Sequence, residues 1–462
     1  MPVTSVQPYW ELTFDSGGDP DPGQRDALLS GAGAATPALT DLVVFSHGWN
    51  NDLSTADALY NRFFALFPPQ LAAAHAASAG PTGPTGPTGA GTPPADPHRF
   101  GYVGVHWPSM RFSDEPIPDY PHTALAVEDN GCAPLDPATR AALVRVFPGS
   151  GPTVARIAAL LDECPEDPAR LAEFAGLVRS LTALPSGSPT AAFAQDVGPA
   201  DGRLALLAED PAGVCGALAD ALEQAGAPVA PAGADGPALF GGLGKRIWDG
   251  AKELLRQATY FAMKRRAGTV GQLGLGPVLG QLARRAPGVR VHLVGHSFGA
   301  RLVSFALAGL PSGVRVSSVT LLQGAFSHYA FCGPLPFDAK GGVLHGMQRR
   351  VSGPVVACHS SHDDALGVFY PMAARLSDDD RSLLGLDGRW GAMGHDGFQH
   401  LDGAAVLPLD RALTGTFPGS GCVSVDASAV VCTGGPPSGA HSDICHAELA
   451  RLVLRAAGRA PA

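Results

Sequence analysis

The densest chemistry in the chain lies at Val291–Leu307, VHLVGHSFGARLVSFAL. An apolar, β-branched run leads into Gly295-His296-Ser297-Phe298-Gly299, and a helical apolar pattern through Ala300, Leu302, Val303, Ala306 and Leu307 follows. A serine on a sharp strand-to-helix turn needs small residues two before and two after it, because the chain closes on itself there. Gly295 and Gly299 meet that need. The turn lifts the Ser297 hydroxyl above the sheet edge, over the N-terminus of the next helix, where developing negative charge is favoured. Ser297 is therefore the candidate nucleophile.

A second signal comes earlier. Leu42–Ser46 reads as a buried strand and ends in His47-Gly48-Trp49-Asn50. A glycine there lets the loop curl over a nucleophile, so that backbone N–H groups face a developing oxyanion. The expected donors are the N–H of Trp49 and that of Phe298, with His47 and Gly48 in support.

An acid and a base complete the set, in the chain order serine, acid, histidine. The run Val355–His359 is followed by Ser360-Ser361-His362-Asp363-Asp364. Asp363 is favoured as the acid, and Asp364 is the alternative. Near the C-terminus, His441 precedes the amphipathic pattern Ala447–Leu454 and is the expected base; His446 is expected inside that helix. In such a set the histidine takes the serine proton, the aspartate orients the imidazole, and the serine attacks an acyl carbon.

Buried-strand patterns recur at Tyr9–Phe14, Leu42–Ser46, Tyr102–His106, Val289–Val294, Val316–Leu322, Val355–His359 and Cys422–Asp426, with helical patterns between most of them. This alternation predicts an α/β fold: a mostly parallel central sheet with helices on both faces. From residue 111 to 245 no strong strand pattern occurs, and Leu171, Phe174, Leu177, Val178 and Leu181 share one helical face, as do Val214, Leu218 and Leu222. The expected organisation is thus 1–110 as a first core segment, 111–245 as a largely helical insertion or lid, and 246–462 as a second core segment. The second segment opens on a long helix with Ile247, Ala251, Leu254, Leu255, Ala258 and Ala262 on one side. Gly80–Pro94, GPTGPTGPTGAGTPP, reads as a flexible surface loop; its period is too short for a collagen helix.

The 462-residue chain has 32 Lys and Arg against 42 Asp and Glu, a net charge of −10, which makes nucleic acid a poor partner. No apolar run is long enough for a transmembrane segment, and the N-terminus lacks a signal-peptide pattern, so a cytoplasmic location is expected. Eight cysteines form no CxxC pair; Cys422 and Cys432 are expected as ordinary thiols. Three further patterns fail as sites. Gly271–Gly280 lacks the dinucleotide-loop glycine spacing and a preceding strand, and Gly241–Lys245 lacks the first glycine and the Ser or Thr of a phosphate loop. His395, Asp396 and His400 match no metal-ligand spacing, so no metal and no cofactor is expected. Lys264-Arg265-Arg266 reads as the basic end of a helix.

The segments HGWN, GHSFG, HSSHDDAL and AHSDI, in this order, resemble the α/β-hydrolase superfamily and its esterase and lipase branches. The resemblance spans roughly residues 40–106 and 246–455. It implies a serine hydrolase acting on a carboxylic ester, with a lipid or other hydrophobic acyl group as the small-molecule substrate. His296 beside the nucleophile matches a lipase habit, with packing as the simpler reason for it. Two alternatives accompany this reading: an acyltransferase using the same residues, and a non-catalytic interaction module on the same fold.

Overall fold

A computed structural model describes residues 3–35, 38–78, 98–110, 112, 134–183, 193, 196, 210–224, 226, 229, 244–337, 339–370, 391–435 and 438–460. The Gly80–Pro94 tract and residues 241–243 lie outside the described residues.

One sheet of eight strands organises the chain: β1 (Tyr9–Thr13), β2 (Asp41–Ser46), β3 (Phe100–His106), β4 (Arg290–His296), β5 (Ser318–Leu322), β6 (Pro354–His359), β7 (Ala405–Pro408) and β8 (Gly421–Asp426). Their order across the sheet is β1-β3-β2-β4-β5-β6-β8-β7, and every neighbouring pair is parallel. The fold is α/β. The central strands β2 to β5 are buried almost throughout, which explains their nearly continuous apolar runs.

Successive residues of each strand feed opposite faces. Val44, Val103, Leu293, Val319 and Val355 join one apolar cluster, and Val43, Phe45, Val294, Leu322 and Val356 join another. Helices α1 (Pro22–Ala34), α8 (Lys245–Thr269), α9 (Gly276–Arg285) and α10 (Phe298–Gly309) supply the first face. Helices α2 (Leu53–Phe64), α3 (Phe67–Ser78), α12 (Leu409–Thr414) and α13 (Ala447–Ala456) supply the second. A short helix α11 (Met393–Asp396) packs beside β6.

Within residues 111–245 the described elements are helices: α4 (Pro137–Val146), α5 (Gly151–Glu163), α6 (Pro168–Thr182) and α7 (Pro211–Gln224). Asp136 and Asp167 cap two of them by accepting N–H bonds in the first turn. Leu171, Phe174 and Val178 of α6, and Val214, Leu218 and Leu222 of α7, are buried; Leu177 and Leu181 are partly so. These helices pack on α8, and most of their buried side chains join the first-face cluster.

Three local features go beyond the sequence reading. β7 was not expected; only four residues long and half-exposed, it shows no buried run. The glycines of 271–280 form a π-helical turn, Val270–Leu275, and the start of α9; a Cβ on Gly271 would strike the Leu302 carbonyl and one on Gly276 the Ala306 carbonyl, so they serve close packing on α10. The run Lys264–Arg266 lies at the C-terminal end of α8, as the sequence predicts, but it is buried there. Lys264 is buried against Asp196 at 2.7 Å, and Arg266 donates to the carbonyls of Pro108 and Val146.

Candidate active site

Strand register assembles the site. β2 and β4 are neighbours with Ser46 opposite Gly295, so the His47-Gly48 loop emerges beside the turn at His296-Ser297. On the other side His296 pairs with Leu322 of β5, and Leu322 with Cys358 of β6. Asp363 follows β6 by four residues, and His441 comes from the long connection between β8 and α13. Four chain segments thus meet above the carboxyl ends of parallel strands, where this type of sheet places its ligand crevice.

Ser297 has φ 56° and ψ −120°, a conformation that L-residues seldom adopt. The surroundings hold it there. Its N–H donates to the Leu322 carbonyl at 3.0 Å, and its own carbonyl accepts from Ala300 at 3.1 Å and Ala325 at 3.2 Å. Strain of this kind persists only where the neighbourhood over-determines it. A Cβ on Gly299 would strike the Ser46 and His47 carbonyls, and one on Gly295 the Gly299 carbonyl. The two glycines are therefore required by contact, as the spacing predicts.

His441 Nε2 lies 2.9 Å from Ser297 Oγ, and His441 Nδ1 lies 2.7 Å from Asp363 Oδ2. Asp363 is fully buried, and its other oxygen accepts the Leu366 N–H at 3.0 Å. Asp364 is exposed and takes no part in this chain of bonds. His446 is the N-cap residue of α13 and pairs with Asp443 at 2.7 Å, just outside the helix rather than within it.

The Gly48 loop presses on the nucleophile. A Cβ on Gly48 would sit 2.7 Å from Ser297 Cβ and 3.2 Å from His296 Nδ1, so no larger residue fits. The loop is braced from several sides. Asn51 Nδ2 donates to the Gly48 carbonyl at 3.3 Å and the Trp49 carbonyl at 3.0 Å, Trp107 donates to the His47 carbonyl, and the His47 ring stacks on Trp107. Burial pushes the His47 pKa down to about 4. Among the described residues, neither the Trp49 N–H nor the Phe298 N–H donates a hydrogen bond.

His296 is almost wholly buried, and its Nε2 lies 2.8 Å from the His441 carbonyl. Burial, then the neighbouring His441, push its pKa down to about 3, so the ring is neutral and Nε2 carries the donated proton.

Sequence reasoning did not find two features. An aromatic cluster packs in the core around the residue after the serine: Tyr260 of α8 lies 4.7 Å from Phe298 and 5.8 Å from Trp49 between ring centroids, and Phe112 and Tyr370 extend it. Behind α10, Arg301 is fully buried and pairs with Asp196, which also accepts from Lys264 and Tyr370. No pattern in the sequence links these distant positions; only the basic run at 264–266 hints at the second. His395, Asp396 and His400 do not converge, since Asp396 is taken by His328 at 3.0 Å and His400 is exposed.

Cys422 and Cys432 are both free thiols, whereas Cys164 is held in a disulfide. Among the described residues no helix is long and apolar enough to cross a membrane. No family model, curated protein or solved structure matches the chain.

Proposed function

We propose that this protein is a serine hydrolase of α/β-hydrolase type that cleaves a carboxylic ester through an acyl-enzyme on Ser297. The observation that carries the reading is the continuous chain Ser297 Oγ–His441–Asp363 at 2.9 and 2.7 Å, with the serine held at positive φ over the start of α10.

The chemistry follows from those positions. His441 Nε2 accepts the Ser297 proton as Oγ bonds to the acyl carbon, and buried Asp363 holds the imidazole tautomer and stabilises the imidazolium. The N–H groups of Trp49 and Phe298 receive the tetrahedral oxyanion. When the ester C–O bond breaks, the leaving alkoxide takes the proton from His441. Water then attacks the acyl-enzyme with His441 again as base, releasing the acid and restoring Ser297.

The test is turnover of a p-nitrophenyl ester chain-length series by the wild type and Ser297→Ala. The reading requires hydrolysis by the wild type and loss of at least about a thousandfold in kcat for the variant. Turnover retained by a folded Ser297→Ala protein would reject it.

A further inference from the structure

The far edge of the sheet carries polar groups that ester hydrolysis does not use. In the β1–β3 register Glu11 lies opposite Gly104 and Thr13 opposite His106. Glu11, Gly104 and His106 therefore share one face of two neighbouring strands. Helix α2 crosses that face and lays Asp57 beside them. One ligand atom from each of Glu11, Asp57 and His106 falls within 4.8 Å of the other two.

The surroundings are mostly aromatic: Phe45, Tyr60, Phe64 and Tyr102 pack around this face, and the His47 ring stands 6.1 Å from that of His106 between centroids. A buried polar atom with no partner there is costly and calls for an occupant. His106 is 3 % exposed, yet neither of its ring nitrogens makes a hydrogen bond. Its Nε2 faces Asp57 Oδ1 at 3.3 Å without hydrogen-bond geometry. Two donor atoms around a tetrahedral ion with bonds of about 2.1 Å stand about 3.4 Å apart. The Tyr9 hydroxyl, which fills the space a Cβ of Gly104 would need, is also unbonded. Asp57 has a partner besides His106, so it is the unbonded His106 ring that calls for an occupant.

We propose that Glu11, Asp57 and His106 bind one divalent first-row cation of the zinc class, tying β1, α2 and β3 together. One imidazole and two carboxylates suit such an ion and leave a position for water. Burial holds His106 neutral, its pKa pushed down to about 3, so the ring nitrogen is available as a ligand without losing a proton first. Tyr9, Glu11 and Gln24 line a surface cleft of about 290 Å³, so the Glu11 end of the group reaches solvent. The site lies on the opposite face of β3 from Val103 and Val105.

The experiment is Zn²⁺ titration of the full chain after EDTA treatment and dialysis, followed by calorimetry, with bound metal counted by plasma mass spectrometry and Tm recorded with and without Zn²⁺. The expected result is one Zn²⁺ per chain, a higher Tm when loaded, and binding at least about tenfold weaker in Glu11→Gln and in Asp57→Asn. Both variants keep side-chain volume, and their folding is checked by circular dichroism before titration. Absence of stoichiometric binding in the wild type overturns the proposal. Binding unchanged in both folded variants overturns it too, by placing the ion elsewhere. None of these readouts depends on ester turnover.

Discussion

The imidazole of His296 donates to the backbone carbonyl of His441 at 2.8 Å, so the residue before the nucleophile holds the chain segment of the proposed base. The two rings stand 5.0 Å apart between centroids. His296 touches neither the Ser297 hydroxyl nor the Asp363 carboxylate through its polar atoms. It is a positioning residue: it fixes the distance at which His441 Nε2 meets Ser297.

His296→Leu removes that donor and leaves the His441 carbonyl unpaired, at a cost of about 1–3 kcal/mol. The expected kinetic signature is a fall in kcat of on the order of ten- to a hundredfold with KM nearly unchanged, since the loss is in alignment and not in substrate contact. His296→Gln, whose amide nitrogen reaches a similar place, should recover most of it. Equal kcat values for the Leu and Gln variants would count against the positioning role.

Asp363 and Asp364 are adjacent in sequence and opposite in environment. Asp363→Asn should lower kcat by about 10⁴ through the wrong imidazole tautomer. Asp364→Asn changes an exposed side chain and should leave kcat within about twofold. Parallel steady-state kinetics on the two variants decide the matter, and a large loss from Asp364→Asn alone would move the acid.

Stability should fall in acid: His47, His106 and His296 are all held below the ordinary histidine pKa by burial, and His296 and Asp41 show the sign. His296 has a folded pKa of about 3 against an ordinary 6.5, so below 6.5 the unfolded chain takes up a proton that the folded one refuses. Asp41 is fully buried; burial opposes its ionisation, but hydrogen bonds from His292 and Thr40 outweigh this and hold its pKa below the usual value. Its contribution is present above the ordinary carboxylate range and is lost as pH falls through its folded value. Urea unfolding at steps from pH 7.5 to 4.5 should show the decline beginning near pH 6.5, with His296 contributing about 1.4 kcal/mol per pH unit. The slope of His296→Gln should be shallower by that amount; equal slopes would mean that His296 is not held neutral.

The parts of this molecule that read directly from sequence are those where one segment states its own environment. β2 and β4 are covered on both faces, so their apolar runs identify them, and the turn at Ser297 declares itself through glycines that contact alone requires. β7 escaped because Val406 is 70 % exposed and four residues give no periodicity. The choice of Asp363 over Asp364 depends on the turn after β6, where Ser360 Oγ donates to the Val431 carbonyl and the Asp363 N–H to the Ser360 carbonyl. That geometry involves a segment some seventy residues on and has no local signature. Asp196, Lys264 and Arg301 are similar: they lie far apart in the sequence, and only tertiary packing supplies the partners that let each be buried.

The most direct measurement is labelling of the folded protein with a fluorophosphonate probe, read by peptide mass spectrometry. An activated serine is required for the reaction, whatever the natural ester. The account predicts a single adduct on Ser297 that disappears on heat denaturation and in Asp363→Asn. A folded, unlabelled protein, or an adduct that persists in Ser297→Ala, would contradict it.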